Sequence, residues 1–347
     1  MRKNPAPALK PVLSFLCRAA IAGGLIFWLI RSHCEEFRGA FRRLDARFFL
    51  AALALYAMQT AVCARRWQCI LRMAGFAVRF PEAMELTMKG CFCSLFIPGG
   101  PLGGDVGKIG FLAMRAGKGR RLDGALTILL DRILGMIGLF LLALALMFWE
   151  MPLFFRMNTA DGALSDRWRM TAFVVLAGTC LAGLLAVPLL LCHGRLRQIG
   201  WFDRLFKLGD RWSGGIPSHL TRLTDTARAQ WHLSVRWILY TLVLVHGGNI
   251  AAIFCIIAGL GLPLSDPAAA AAAVTIGNIA GMLPVTIAGL GVRDTVIYAL
   301  LAAAGMPEPA VIPLLYSIVM ILFNLAGGLT LLGSFGRASQ PDRTPAR

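Results

Sequence analysis

The chain has 347 residues, of which 57% are hydrophobic and only 15% charged, and its mean hydropathy is +0.68. Because a soluble domain carries about 25% charged residues, this composition excludes a water-soluble fold and predicts an all-α, polytopic membrane helical bundle. The net charge of +17 is spread over many loops, which indicates contact with anionic lipid headgroups and argues against a nucleic-acid-binding surface.

Six apolar stretches are long enough to cross a bilayer, which requires about 20 mostly apolar residues. The first is expected to be a retained span, because no small-residue cleavage site of a secretory signal follows Ile30. A single transmembrane domain over 1–345 is predicted, with no soluble catalytic domain. The predicted spans are 12–30, 46–64, 124–149, 170–192, 236–260 and 310–333.

Two further apolar segments, 84–112 and 268–292, are interrupted by proline and glycine. Interrupted backbone within lipid is tolerated only where it is buried in protein or lines a wet cavity, so both segments are candidates for a functional site. We predict that each is re-entrant, entering and leaving on the same side of the membrane. Aligned on their prolines, they match at Pro98 with Pro284, Gly103 with Gly289 and Val106 with Val292.

The distribution of lysine and arginine favours re-entrant segments. With both segments re-entrant, 23 of the 35 Lys and Arg residues fall on the cytoplasmic side and 9 on the outer side. With both segments crossing fully, the counts would be 13 inside and 19 outside, against the positive-inside rule. Both termini are therefore predicted to be cytoplasmic, in an inner or plasma membrane. The five positive residues of 31–47 then lie outside, where an interfacial amphipathic helix would accommodate them.

The order of the segments is repeated along the chain. Residues 10–150 contain two spans, a broken segment and one span, and residues 170–335 contain the same order in the opposite orientation. Inverted repeats of this kind build many transporters, whose substrate site lies near the bilayer midplane where the broken helices meet.

Ionisable residues within membrane segments cost roughly 2.5–3.5 kcal/mol each, so each requires a reason. The hypothesis is that three cations bind a phosphate and that three carboxylates position them, since the guanidinium fork of arginine matches phosphate oxygens. Backbone N–H groups around Gly103 and Gly104 would add donors. The alternative is that the charges pair with one another and only lock the two halves together. The cations are Lys108, Arg132 and Arg293, and the carboxylates are Asp105, Asp131 and Asp294.

Signatures of catalysis and of metal binding are missing from the sequence. It contains no His-Glu-x-x-His, no Gly-x-Ser-x-Gly and no Walker A sequence. Its nine cysteines lie mostly in apolar runs, and Cys91 and Cys93 lack the two-residue spacing of a metal or redox pair. We therefore predict no enzyme activity, no metal and no cofactor.

Four motifs occur in order over roughly 10–335. They are Arg65-Arg66-Trp67, Ile97-Pro98-Gly99 with Gly103-Gly104-Asp105, Asp131-Arg132-x-x-Gly135, and Leu283-Pro284 with Gly289-x-Gly291-Val292-Arg293-Asp294. In this combination the chain resembles the lysylphosphatidylglycerol synthase transmembrane family, also called flippase-like or YbhN-type membrane proteins. In the bifunctional synthases a domain like this one moves the modified lipid between leaflets. The sequence departs from the family pattern at Lys108, where Arg is usual, and at Asp294, where Glu is usual.

The leading hypothesis from sequence is a lipid flippase or transporter that moves an anionic phospholipid or a lipid-linked intermediate. One alternative is a non-transporting accessory protein for a lipid-modifying or glycosyl-transferring membrane enzyme, which would then be its partner. Another is a carrier of ions or small solutes. A lateral opening between spans would favour the lipid, a sealed charged cavity would favour the small solute, and paired charges without a cavity would favour the accessory role.

Overall fold

The computed structural model describes residues 9–97, 101–115, 120–156, 166–191, 198–213, 231–283 and 289–331, with the single residues 218, 221, 225 and 286. Within these ranges every element is helical. The helices are α1 (Leu9–Ser32), α2 (Cys34–Arg43), α3 (Ala46–Met73), α4 (Phe80–Phe96), α5 (Pro101–Arg115), α6 (Arg121–Trp149), α7 (Met151–Arg156), α8 (Asp166–Leu191), α9 (Gly200–Ser213), α10 (Trp231–Tyr240), a π-helix (Thr241–His246), α11 (Gly247–Gly259), α12 (Pro267–Gly281), α13 (Val292–Ala303) and α14 (Val311–Ala326).

Among the described residues, five helices are long and apolar enough to cross a membrane, which makes this a multi-pass membrane protein. Each overlaps a predicted span, so five of the six predicted spans form helices of the length and apolarity that a crossing requires. The sixth, 12–30, coincides with α1, whose described apolar portion, Gly23–Ser32, is shorter than a full crossing. The five helices are Ala46–Met73, Arg121–Trp149, Asp166–Ala186, Ser234–Gly259 and Val311–Leu331.

The first broken segment forms two antiparallel helices, α4 and α5, which we call hairpin 1. A Cβ added at Gly107 would meet Cys93, and one added at Gly104 would meet the carbonyl oxygen of Gly90, so the backbones lie in close contact. The helix α4 begins at a local cap, where the Glu82 side chain accepts a hydrogen bond of 2.8 Å from the backbone N–H of Arg79. Small residues along the contact allow this close approach.

The second broken segment forms a similar pair, α12 and α13, which we call hairpin 2. The Asp266 side chain caps α12 by accepting a hydrogen bond of 2.9 Å from the Ala269 N–H. A Cβ at Gly277 would meet Ile297, and one at Gly281 would meet Arg293, so the arms are antiparallel. With 17 and 15 residues in hairpin 1 and 15 and 12 in hairpin 2, the arms are about 18–25 Å long, shorter than the ~30 Å hydrocarbon core.

Two groups of loops lie at opposite ends of α3. At its N-terminal end, the Asp45 N–H donates to the Gly259 carbonyl over 2.8 Å, and Arg43 of α2 pairs with Glu308 at 2.5 Å. At its C-terminal end, Arg120 donates to the backbone oxygens of residues 74 and 75. This grouping matches the one used in the charge count, while the side of the membrane that each end faces stays a prediction.

The largest apolar core joins elements of both halves. It contains Ala52 of α3, Ile253 of α11, Ala273 of α12, Leu301 of α13 and Val319 of α14, all fully buried. The two halves are therefore interleaved around α3, and this packing fixes the position of the polar cavity described next.

Candidate functional site

A cavity of about 310 Å³ lies within the helical bundle, where the two hairpins meet α3, α6, the π-helix, α11 and α14. Hairpin 1 contributes Gly104 and Lys108 to its lining, and hairpin 2 contributes Gly281 and Arg293. The cavity is partly open and mixes polar with apolar lining residues. Its place between two broken helical pairs is where the inverted-repeat prediction expects a substrate site.

Arg132 and Asp105 form a two-pronged ion pair on the cavity wall. The Arg132 Nε and Nη2 atoms each lie 2.7 Å from an Asp105 oxygen, which is the parallel fork geometry of a strong arginine–carboxylate pair. Asp105 is buried, whereas 38% of the Arg132 side chain is exposed. The pair connects α5 of hairpin 1 to α6 and leaves the arginine partly accessible from the cavity.

Asp131 is the neighbour of Arg132 on α6, yet it pairs with a different residue. The Arg66 Nε donates to Asp131 Oδ1 over 2.7 Å, and Arg66 Nη1 donates to the Thr241 hydroxyl of the π-helix over 2.7 Å. The guanidinium lies against Gly135, where a Cβ would come within 3.1 Å of it. The sequence hypothesis assigns Asp131 to one of the three predicted cations and does not include Arg66. The sequence features that could have indicated Arg66 are the Arg66-Trp67 motif and the motif from Asp131 to Gly135, whose two ends both contact its guanidinium.

Arg293 lies at the start of α13, where its guanidinium contacts the adjacent Asp294 and residues of α14. Its Nε and Nη2 contact Asp294 Oδ1 at 3.2 Å, Nη2 also donates to Ser317, and Nη1 lies 3.0 Å from the sulfur of Met320. The Asp294 carboxylate in turn accepts from the Ser317 hydroxyl and from a backbone N–H. All three nitrogens of Arg293 therefore have partners within hairpin 2 and α14.

Lys108 is the exception among the predicted cations. It is buried, and its ammonium lies 5.2 Å from the centre of the Trp67 ring, but no described residue gives it a hydrogen bond or an ion pair. Its methylene groups lie on Gly90, since a Cβ there would meet them at 2.7 Å. The other buried lysine of hairpin 1, Lys89, pairs with Glu85 at 2.6 Å. Among the described residues that line the cavity, Lys108 thus presents an ammonium group without a carboxylate partner.

Three polar atoms of the cavity lining are buried without a hydrogen-bond partner among the described residues. They are Nε2 of Gln59, Nδ1 of His246 and Oδ1 of Asn324. The other ring nitrogen of His246, Nε2, lies 3.1 Å from the Gly135 carbonyl. Since a carbonyl only accepts, Nε2 carries the proton and Nδ1 is an acceptor in the neutral ring. The lining thus offers one amide donor and two acceptors beside the ammonium of Lys108.

The predicted glycines lie at close backbone contacts. A Cβ at Gly103 would clash with the Ile97 carbonyl, and one at Gly104 would lie 2.7 Å from the Gly90 carbonyl. Gly289 has φ of +75°, a conformation that favours glycine, and a Cβ there would lie 2.5 Å from the Gly281 carbonyl. Pro98 and Pro284 lie outside the described residues.

The family model of the lysylphosphatidylglycerol synthase TM region matches residues 15–328. The chain belongs to this family. A UPF0104 membrane protein of Pyrococcus horikoshii is 32% identical over 95 residues, which cover 27% of this chain and 28% of that protein. The chain thus aligns with little more than a quarter of that relative. No solved structure matches it significantly.

The motifs that carry the family resemblance converge on the cavity. Arg66, Asp131, Arg132 and Arg293 line it, and Asp105 holds Arg132 from hairpin 1. The three ion pairs around the cavity each join residues of one half, so they do not lock the two halves together as the alternative hypothesis supposed. The halves instead meet there through the hydrogen bond from Arg66 to Thr241 and the one between His246 and Gly135.

Proposed function

We propose that this family member moves a phosphate-bearing membrane lipid between leaflets, with the headgroup in the cavity and the acyl chains in the bilayer. The observation that carries the proposal is Lys108, a buried residue that lines the cavity and whose ammonium has no counter-ion among the described residues. An unpaired buried charge is strongly unfavourable, and a phosphate would supply both the opposite charge and the hydrogen-bond acceptors. The chain belongs to the family of the lysylphosphatidylglycerol synthase TM region, and this membership supports a lipid-related role.

We also propose that both hairpins are re-entrant and that the two halves of the chain have opposite orientations in the membrane. In support, both hairpins have antiparallel arms shorter than the hydrocarbon core. Hairpin 1 starts and ends near the loop at 74–79, whereas hairpin 2 starts and ends near 259–266, at the opposite end of α3. The hairpins would thus enter from opposite sides and meet at the cavity, with both termini cytoplasmic, as the charge count favours.

The polar lining suits a headgroup that carries a phosphate and hydroxyl groups. The Lys108 ammonium and the Gln59 amide would donate to phosphate oxygens. The His246 Nδ1 and the Asn324 Oδ1 would accept from hydroxyls such as those of a glycerol or sugar headgroup. The atoms of Gln59, His246 and Asn324 are otherwise buried without a partner among the described residues, which costs about 1–3 kcal/mol per group.

The two predicted phosphate arginines take different roles in this proposal. Arg132 is partly exposed and would contact the headgroup while Asp105 orients it. Arg293 is fully engaged by Asp294, Ser317 and Met320, and it would hold hairpin 2 in place. The partly open cavity and the partly exposed side chain of Arg132 favour a lipid headgroup over a small solute in a sealed site.

The test is lipid movement in proteoliposomes that contain a fluorescent phosphatidylglycerol, with its outer-leaflet fraction bleached by dithionite. We expect the wild type to expose lipid from the inner leaflet and Lys108→Met to slow this by roughly 10–100-fold, the loss of one charged hydrogen bond. The matched control is Lys89→Met, because Lys89 is a buried lysine of the same hairpin that does not line the cavity. It should remain within about twofold of wild type, since no headgroup contact is lost.

Two results would contradict this proposal in different ways. If Lys108→Met and Lys89→Met slow transport equally while both variants remain folded, the cation site is not at Lys108. If the wild type moves neither an anionic nor a zwitterionic fluorescent lipid, the transport proposal fails. The accessory role beside a lipid-modifying enzyme would then become the leading hypothesis.

A further inference from the structure

A second concave surface lies on the other side of α3 from the cavity. It is a groove of about 470 Å³ between α3, α10 and the π-helix, which we call the α3–α10 groove. Met58 and Val62 of α3 and Leu244 of the π-helix form its apolar part, and Phe80 and Trp237 form its aromatic part. This volume is within the usual range of ligand pockets, about 300–1,000 Å³.

One end of the groove is polar and positively charged. Arg65 lines it, is exposed, and among the described residues donates only to the neutral Gln68 amide oxygen. Arg236, which does not line the groove, stacks on the lining residue Tyr240 at 5.6 Å and donates to its hydroxyl. This end of the groove therefore has one positive charge, that of Arg65, that the described part of the chain does not neutralise.

The indole of Trp237 supplies an independent sign of a ligand. Its Nε1 atom is buried and has no acceptor among the described residues, although the ring lines the groove. An indole nitrogen is a donor only, so an acceptor from outside the described chain would satisfy it. Leaving such a donor unpaired costs about 1–3 kcal/mol.

The groove runs along α3 in the orientation that a lipid of one leaflet would have, with its polar end toward one end of the helix. Arg65, Phe80 and Trp237 lie toward the end of α3 that carries the loop at 74–79, while Met58 and Leu244 lie nearer the middle of their spans. Aromatic residues and cations at such depth typically mark the membrane interface, and basic pockets between transmembrane helices bind anionic headgroups.

We propose that the α3–α10 groove binds one anionic phospholipid, separately from the cavity and whether or not the protein transports. Its phosphate would accept hydrogen bonds from Arg65 and from the Trp237 N–H, and one acyl chain would lie along Met58, Val62 and Leu244. The Trp237 donor and the apolar channel suit any phospholipid, and the positive charge of Arg65 selects an anionic headgroup over a zwitterionic one.

The test is photo-crosslinking in nanodiscs with two phospholipids that have the same diazirine-bearing acyl chain, one with a phosphoglycerol and one with a phosphocholine headgroup. Mass spectrometry locates the crosslinks. For wild type we expect labelling concentrated at Met58, Val62 and Leu244, about threefold or more stronger with the anionic lipid. Trp237→Phe keeps the ring but removes the donor to the phosphate, which both lipids carry, so labelling of the groove by either lipid should fall by roughly 2–10-fold, the value of one hydrogen bond.

Val62→Trp fills the groove and should reduce the labelling of α3 to that of other lipid-facing helices. The control is Val243→Trp, because Val243 precedes Leu244 but is 64% exposed and lies outside the groove. Equal labelling by both lipids, or labelling unchanged by Val62→Trp, would mean ordinary annular contact and overturn the proposal. Because occupancy is measured directly, a failure here is distinct from a failure of lipid transport.

Discussion

Hairpin 1 and hairpin 2 have similar backbones but their charges have different partners. In hairpin 1, Asp105 pairs with Arg132 on α6, and Lys108 lines the cavity without a carboxylate partner among the described residues. In hairpin 2, Arg293 and Asp294 are adjacent and satisfy each other together with Ser317 of α14. In the proposal made above, hairpin 1 would present charge to a ligand, while hairpin 2 would use its charge to anchor itself.

The largest expected effect comes from removing the acid of hairpin 2. Asp294→Asn leaves the buried Arg293 without its carboxylate, so unfolding in detergent should become easier by about 3–5 kcal/mol. Asp166→Asn is the matched control, since that acid is 86% exposed and its pair with Arg169 is worth about 0–1 kcal/mol. The measurement is denaturant unfolding followed by intrinsic fluorescence. A loss no larger than that of the control would remove the anchoring role.

The corresponding change in hairpin 1 should have a smaller effect. Asp105→Asn removes the partner of Arg132, which is partly exposed, so about 1.5–3 kcal/mol of stability should be lost. The double variant Asp105→Asn with Arg132→Gln should recover part of this loss, because both charges of the pair are then removed together. The unfolding of both single variants and of the double variant measures the coupling. Additive losses would show that the two side chains are not coupled.

The smallest effect is expected from the helix contact within hairpin 1. Gly104→Ala places a methyl group 2.7 Å from the Gly90 carbonyl and should cost about 1–3 kcal/mol by forcing α4 and α5 apart. Gly110→Ala on the same helix meets no atom within 4 Å and should be neutral or stabilising by about 0.5–1 kcal/mol. Thermal unfolding midpoints compare the two. Equal midpoints would mean that the arms of hairpin 1 do not depend on close contact.

The sequence predicted the spans and the broken segments because both depend on local properties. Length and hydropathy identify a helix that crosses lipid, and proline with glycine identifies where 84–112 and 268–292 are interrupted. The polar candidates were identified because charge is rare in such segments. That much of the fold and of the site requires no knowledge of which helices are neighbours.

The pairing of charges could not be predicted because it depends on tertiary contacts. Asp131 and Arg132 are consecutive, but successive residues of an α-helix point about 100° apart, so they reach different helices. Asp131 therefore pairs with Arg66, a residue that the sequence analysis counted only among the basic residues at the end of a span. Whether the site residues bind a substrate stays a prediction that the transport assay must test.

The π-helix forms part of the wall that separates the cavity from the α3–α10 groove. A π-turn contains one residue more than an α-turn. A change of register by one residue turns each side chain that follows by about 100° around the helix axis. Leu244 lines the groove, while Val245 and His246 line the cavity. Deleting one residue from Thr241–His246 would therefore change the linings of the cavity and of the groove together.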